Sequence, residues 1–277
     1  MNVTSTDTPP SFNPLLRPND LELLRLLAGP FILLTRKQIG QLFPGTSVRN
    51  VNYRLRRLIR SGHVSRRLYP TAYAAPQVPL YFLGPKASEA LGFEPDAPEF
   101  NARRRRALQL RDGALPHFLL VTSVHIRFLV ASREYPDVEL LSWIDQYDPI
   151  WRALNAYGFP LRPDGYAEYR VGASLIRFFL EMDRGTERGR AIHHKLGAYH
   201  AYAVSGRFEQ HFSAPAFRVL AISTTSRRAR QIVRQAPAAT PDLFWAASAD
   251  HFFERPLLDP YWLIPGSDIH HSLSTPL

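Results

Sequence analysis

Three carboxylates in the second half of the chain carry the chemistry most open to inference: Asp164, Glu181 and Asp183. Glu181 and Asp183 lie two apart in an apolar run, Ser174 to Asp183, whose alternation reads as a strand. Strand side chains alternate with period two, so the two acids share one face and Ile176, Phe178, Leu180 and Met182 share the other. Asp164 stands at the start of the preceding strand, Tyr166 to Val171, joined to the first by a Gly172-Ala173 turn. A hairpin of this kind can bring three carboxylates to one end of a sheet. Hard oxygen ligands suit Mg²⁺ or Mn²⁺, and an ion held there can orient a water and offset charge on a scissile phosphate. The competing reading is that acids at strand ends are surface residues, or partners of Arg184 and Arg188. Two like charges on one strand face repel by a few tenths to about 1 kcal/mol unless a cation or arginine lies nearby.

The elements that must position these residues read as helix Phe118 to about Arg133, strand Val138 to Trp143, the hairpin, and helix Thr186 to about Val204. Strand Phe217 to Ser223, helix Thr225 to Arg234 and a last strand near Leu243 to Ala247 complete the set. His193 and His194 are neighbours on the first of the late helices; they point about 100° apart and cannot share an ion. His117 stands at a helix start, where capping or packing accounts for it. Tyr199 and Tyr202 would serve as nucleophiles only in a covalent transfer, and packing is the simpler role. Arg227 and Arg228 follow a strand and open a helix, a position that suits contact with a DNA strand.

The first half has a different character. Residues 1–112 hold 17 Lys+Arg against 8 Asp+Glu, and the remainder holds 17 against 16. A basic segment joined to a nearly neutral one points to nucleic acid rather than to general solubility. After a loose N-terminus (residues 1–16), Asn19 or Asp20 can cap a helix through Leu21, Leu24 and Leu27 that ends at Gly29-Pro30. Thr35 opens a short helix to Leu42, and Thr46 or Ser47 caps a third that ends at Ser61-Gly62. Val48, Val51, Leu55, Leu58 and Ile59 form the expected buried stripe of that third helix. Its other side carries Arg49, Asn50, Asn52, Tyr53, Arg56 and Arg60, flanked by Arg54 and Arg57, with no acid between Glu22 and Glu89.

Two strands follow, His63 to Leu68 and Leu80 to Leu83, with a Pro-rich loop between them and a short helix, Pro85 to Leu91, behind. The order reads as a winged helix-turn-helix over residues 17–93, its third helix placed for phosphates and base edges. Arg49, Asn50, Tyr53, Arg56, Arg57 and Arg60 on that helix, and Arg66 and Arg67 on the wing, are the candidate contacts to double-stranded DNA. Residues 94–113, with Arg103 to Arg106, read as a basic linker giving an auxiliary phosphate contact. The second domain is expected over 114–256 and a tail, frayed from Ser267, over 257–277.

The chain has 277 residues and no cysteine, which excludes disulfides and Cys-based zinc ribbons and suits a reducing compartment. The first ten residues lack the layout of a signal peptide. The most apolar stretch, Phe118 to Val130, is interrupted by His125 and Arg127, so no membrane span and a cytoplasmic location are expected.

Pro163-Asp164, then Phe179-Leu180-Glu181-Met182-Asp183-Arg184-Gly185-Thr186-Glu187, then Lys195 and Tyr199 resemble the replication-relaxation family of plasmid and mobile-element proteins, from about Leu21 to Arg234. The chain is also similar to MobC-type conjugative relaxases. The resemblance implies an α+β protein: an N-terminal winged helix followed by a restriction-endonuclease-like domain of the PD-(D/E)xK type with a mixed central sheet. It implies Asp164 as the first motif acid and Glu181 as the second. The lysine usual two residues later is replaced by Asp183, which then stands as a metal ligand, while Lys195 supplies the positive charge from the next helix. The implied activity is nicking or relaxing DNA with Mg²⁺ or Mn²⁺. The alternatives are a non-enzymatic winged-helix regulator or replication accessory factor on an inactive nuclease scaffold, and a helper that binds other replication or conjugation proteins.

Overall fold

A computed structural model describes residues 16–69, 77–94, 96–156, 161–185 and 189–275. The loose N-terminus expected before Leu16, most of the Pro-rich loop after Tyr69 and the helix start at Thr186 lie outside the described residues. The chain is a mixed α+β protein that divides into two compact units, Met1–Ile126 and Arg127–Leu277.

The first unit contains α1 (Pro18–Ala28), β1 (Leu34–Thr35), α2 (Arg36–Leu42), α3 (Val48–Arg60), β2 (Val64–Tyr69), β3 (Val78–Leu83), α4 (Ala87–Leu91) and α5 (Pro98–Gln109). The start of α6 (Leu115–Glu134) also belongs to it. Local chemistry accounts for the helix starts. Thr35 Oγ1 accepts from Gln38 N at 3.2 Å while Gln38 Oε1 accepts from Thr35 N at 2.9 Å, a capping box that opens α2. Ser47 Oγ accepts from Asn50 N at 3.2 Å and opens α3.

Val51, Leu55 and Leu58 bury one side of α3. Val48, expected in that stripe, is the first residue of the helix and is 63% exposed. The small sheet runs β1-β3-β2, all antiparallel, with Thr35 opposite Leu80 and Arg66 opposite Tyr81. Strand β1 is two residues long, too short to show alternation in the sequence.

Residues 94–113, expected as a linker, hold α5. Phe100 and Ala107 are buried, and Ala107 joins Ile32, Leu33, Leu80, Phe82, Leu115 and Phe118 in one apolar cluster. The arginine block is correspondingly structural in part. Arg103 Nε donates to Leu27 O at 2.6 Å and Nη2 to Gly29 O, and Arg104 Nε donates to Leu83 O at 3.2 Å. By length and composition the helical run Asp112–Glu134 is apolar enough to cross a membrane, which corrects the expectation that no stretch is. Within the protein its Val121, Val124, Ile126 and Phe128 are buried.

The second unit holds the rest of α6, then β4 (Val138–Asp145), α7 (Ile150–Ala156), β5 (Gly165–Val171), β6 (Ser174–Asp183), α8 (Gly189–Val204) and α9 (Arg207–Phe212). It continues with β7 (Arg218–Ser223), α10 (Ser226–Gln235), β8 (Phe244–Ser248) and α11 (Ala249–Glu254). Its sheet runs β4-β5-β6-β7-β8. The first three strands form an antiparallel meander; β6, β7 and β8 are parallel, with α8 and α10 in the crossovers.

Period-two alternation in β6 sends Phe178 to one side, where Phe128, Trp143 and Phe252 cluster. It sends Phe179 to the other, among Tyr166, Tyr199, Tyr202, Phe208 and Phe217. The C-terminal segment is packed against this unit through residue 275, contrary to the expected fraying. Leu273 is fully buried, and the buried Arg218 guanidinium donates to Leu273 O at 2.6 Å and to Thr275 O while lying 4.1 Å over the Trp245 ring.

Candidate functional site

Because Glu181 and Asp183 follow Phe179 at period two, both face the α8 and α10 side of the sheet. The antiparallel register Gly165 with Leu180 sets Asp164 directly across from Glu181. Asp164 N donates to Leu180 O at 3.0 Å, and Asp164 Oδ2 accepts from Met182 N at 2.7 Å, so this carboxylate is tied to the end of β6 by backbone.

Glu181 is 7% exposed and meets two groups one turn apart on α8. Lys195 Nζ donates to Oε2 at 2.9 Å, and the Tyr199 hydroxyl donates to Oε1 at 2.5 Å. Burial pushes the Glu181 carboxyl up to about 7; Lys195 opposes that rise, Asp164 adds to it, and the hydrogen bonds from Tyr199 and Lys195 hold it down. The Tyr199 phenol is driven well above its ordinary value by burial first and then by the Glu181 charge.

Asp183 has a different partner. Arg228 Nε, from the first turn of α10, donates to Asp183 Oδ2 at 2.6 Å, and Gly185 N donates to Oδ1 at 3.0 Å. Among the described residues no three His, Cys, Asp or Glu side chains are grouped to hold a metal ion. The three acids expected as one cluster have separate partners: Arg228 holds Asp183, while Asp164 and Glu181 face each other with Lys195. Sequence reasoning placed Arg228 on DNA and did not assign Tyr199 to Glu181. The four-residue spacing of Lys195 and Tyr199 is local, but the crossovers that bring α8 and α10 to β6 are tertiary.

The two candidate tyrosines are held inside the fold. Tyr199 is buried with its hydroxyl on Glu181, and the Tyr202 hydroxyl meets His211 Nδ1 at 2.9 Å. His193 and His194 are exposed on α8.

In the first unit, Arg49, Asn50, Tyr53, Arg56 and Arg60 are all exposed on α3. At about 100° per residue, Arg49, Tyr53, Arg56 and Arg60 fall within about 60° of arc. Two of the expected DNA contacts, Arg57 and Arg67, have partners inside the fold. Arg57 pairs with the buried Asp20, as does Arg54 at 3.5 Å, and Arg54 also lies 4.7 Å over the Phe43 ring. Asp20 in turn accepts from Arg17 N at 2.7 Å. Arg67 closes the end of α5, donating to Ala107 O at 2.9 Å, Leu108 O at 3.0 Å, Leu110 O at 2.9 Å and Asp112 Oδ1 at 2.8 Å. Those carbonyls are the ones a helix leaves unsatisfied at its C-terminus. Arg66, its neighbour on β2, is exposed.

The replication-relaxation family model matches residues 24–214, well over half of the chain and both units. The chain belongs to the replication-relaxation family. Neither the curated proteins nor the solved structures give a significant match. The replication-relaxation match spans α3, Asp164, Glu181 and Lys195, and it ends just before β7 and α10, so the Arg228 partner of Asp183 falls beyond it. Membership in the replication-relaxation family gives the protein a replication-related, DNA-associated role.

Proposed function

We propose that this replication-relaxation protein binds double-stranded DNA through a winged helix-turn-helix, with α3 as the recognition helix and β2 and β3 as the wing. One observation carries the reading: α3 exposes Arg49, Tyr53, Arg56 and Arg60 on a single face and contains no acid. Arginine on such a face is suited to phosphates and guanine edges, and an exposed aromatic to sugar or base. Arg66 on the wing adds a contact; Arg57 and Arg67, with partners inside the fold, do not. In a mobility-shift assay on origin fragments of its own element, the wild-type chain is expected to bind and the R56E/R60E variant to fail at physiological salt. Equal binding by the variant would contradict the assignment of α3.

A second reading, metal-dependent nicking by a PD-(D/E)xK-like centre, is favoured by the opposition of Asp164 and Glu181. Two carboxylates directly across a strand pair repel, and the chemistry of this pair suits a hard cation. Asp164 and Glu181 would hold the Mg²⁺ or Mn²⁺, which supplies an activated water and offsets charge on the phosphate. Lys195 would stabilise the developing negative charge, and Tyr199 would fix the orientation of Glu181. The test is conversion of supercoiled plasmid to open circles with Mn²⁺, absent with EDTA and lost in D164A and E181Q. Binding without conversion would leave the replication accessory or regulatory role on an inactive nuclease scaffold.

A further inference from the structure

The second half of the chain carries nearly balanced charge, yet α10 contains four arginines and no acid. Arg228 is engaged by Asp183. Arg227, Arg230 and Arg234 are exposed, three and then four residues apart, so they lie along one stripe; Ala229 and Ile232 bury the opposite side. Along the axis the three span about 10 Å at about 1.5 Å per residue, the rise of roughly three nucleotides of one strand at about 3.4 Å each.

The stripe begins next to the candidate centre. A Cβ on Gly185 would meet Thr224 Oγ1 at 3.4 Å, so the turn leaving β6 lies against the turn leaving β7. Exposed Arg184, in the first of these turns, extends the positive surface toward the carboxyl ends of the parallel strands β6 and β7. Ligands of α/β sheets bind at those ends.

We propose that α10 is a second DNA-backbone surface: Arg227, Arg230 and Arg234 seat phosphates of the duplex across the carboxyl ends of β6 and β7. The proposal rests on the duplex-binding reading and extends it to the second unit. The chemistry favours phosphates of nucleic acid over a lipid surface. A helix that lies on a membrane offers apolar side chains outward, whereas the apolar side chains of α10 are turned into the core. Arginine also makes the planar, forked contact that phosphates accept.

The test uses the full chain and fluorescence anisotropy on a duplex from its element, with salt varied. For R227Q/R230Q/R234Q we expect weaker binding and a slope of log affinity against log salt reduced by about 2–3, at about 0.9 per lost phosphate contact. Thermal melting checks its fold; should it melt early, single R230Q, with an expected slope change of about 0.9, replaces it. If the triple variant keeps wild-type affinity and slope while R56E/R60E fails to bind, the α10 proposal is overturned and the α3 reading stands. If the triple variant loses slope while R56E/R60E is unaffected, the α10 proposal holds and the α3 reading falls. Binding of wild type to phosphatidylserine vesicles, lost in the triple variant with DNA binding unchanged, would overturn it in favour of a lipid surface.

Discussion

The Arg228 guanidinium reaches from α10 to Asp183 Oδ2 at 2.6 Å, giving Asp183 a partner that the two other acids near the end of β6 do not share. Both side chains are largely buried, with 14% and 10% of their surface exposed. Arg228→Ala would leave a carboxylate with little water to replace its partner. The expected loss of stability is about 2 kcal/mol, below the roughly 3–5 kcal/mol of a fully buried pair. Thermal melting checks it, and in D183N/R228A much of the loss should be recovered, because the stranded charge is gone.

Glu181 offers a test by pH. Its folded carboxyl titrates near 7, above the ordinary 4.5, chiefly through burial. Between those values the folded state holds the proton more tightly than the unfolded chain. This contribution is complete below 4.5 and is lost as pH rises through about 7. Glu181→Gln is therefore expected to raise stability relative to wild type at pH 8 and to change it less at pH 5. Urea unfolding at the two pH values measures it; a larger gain at pH 5 would reverse the sign.

His125 gives the opposite sign. It is buried beside the Phe31 ring, centroids 4.8 Å apart, and burial lowers its pKa from 6.5 to about 3. The unfolded chain takes up the proton first, so stability present above 6.5 declines as pH falls toward 3, with a slope approaching about 1.4 kcal/mol per pH unit. Chemical unfolding between pH 6 and 4 should show this slope, and His125→Leu should remove it.

Adjacent arginines on α3 should separate stability from affinity. Arg57→Ala removes a partner of the buried Asp20 and is expected to lower the melting temperature. Arg56→Ala, on the exposed face, should leave melting unchanged and weaken DNA binding. Equal effects of the two on both quantities would mean that α3 has no distinct outer face.

The division between those arginines marks the limit of what one sequence reveals. Helical periodicity displayed the Val51, Leu55 and Leu58 stripe and the face opposite it, and strand alternation displayed the common side of Glu181 and Asp183. Asp20 was visible only as a capping candidate, since nothing local says that α3 will lay Arg54 and Arg57 against it. The same holds for Arg67 at the end of α5 and for Arg228 at Asp183, separated by 40 and 45 residues from the groups they meet. Charge composition located the basic half, yet it hid α10 inside a balanced total. Local spacing is written in the chain; the choice of partner for each cation depends on how the elements cross.

Duplex recognition by the outer face of α3 is tested most directly by anisotropy of a labelled origin duplex titrated at physiological ionic strength with wild type and R56E/R60E, both shown by melting to be folded. Saturable wild-type binding with none by the variant is the expected result. Superimposable curves, or no binding by the folded wild-type chain, would contradict it.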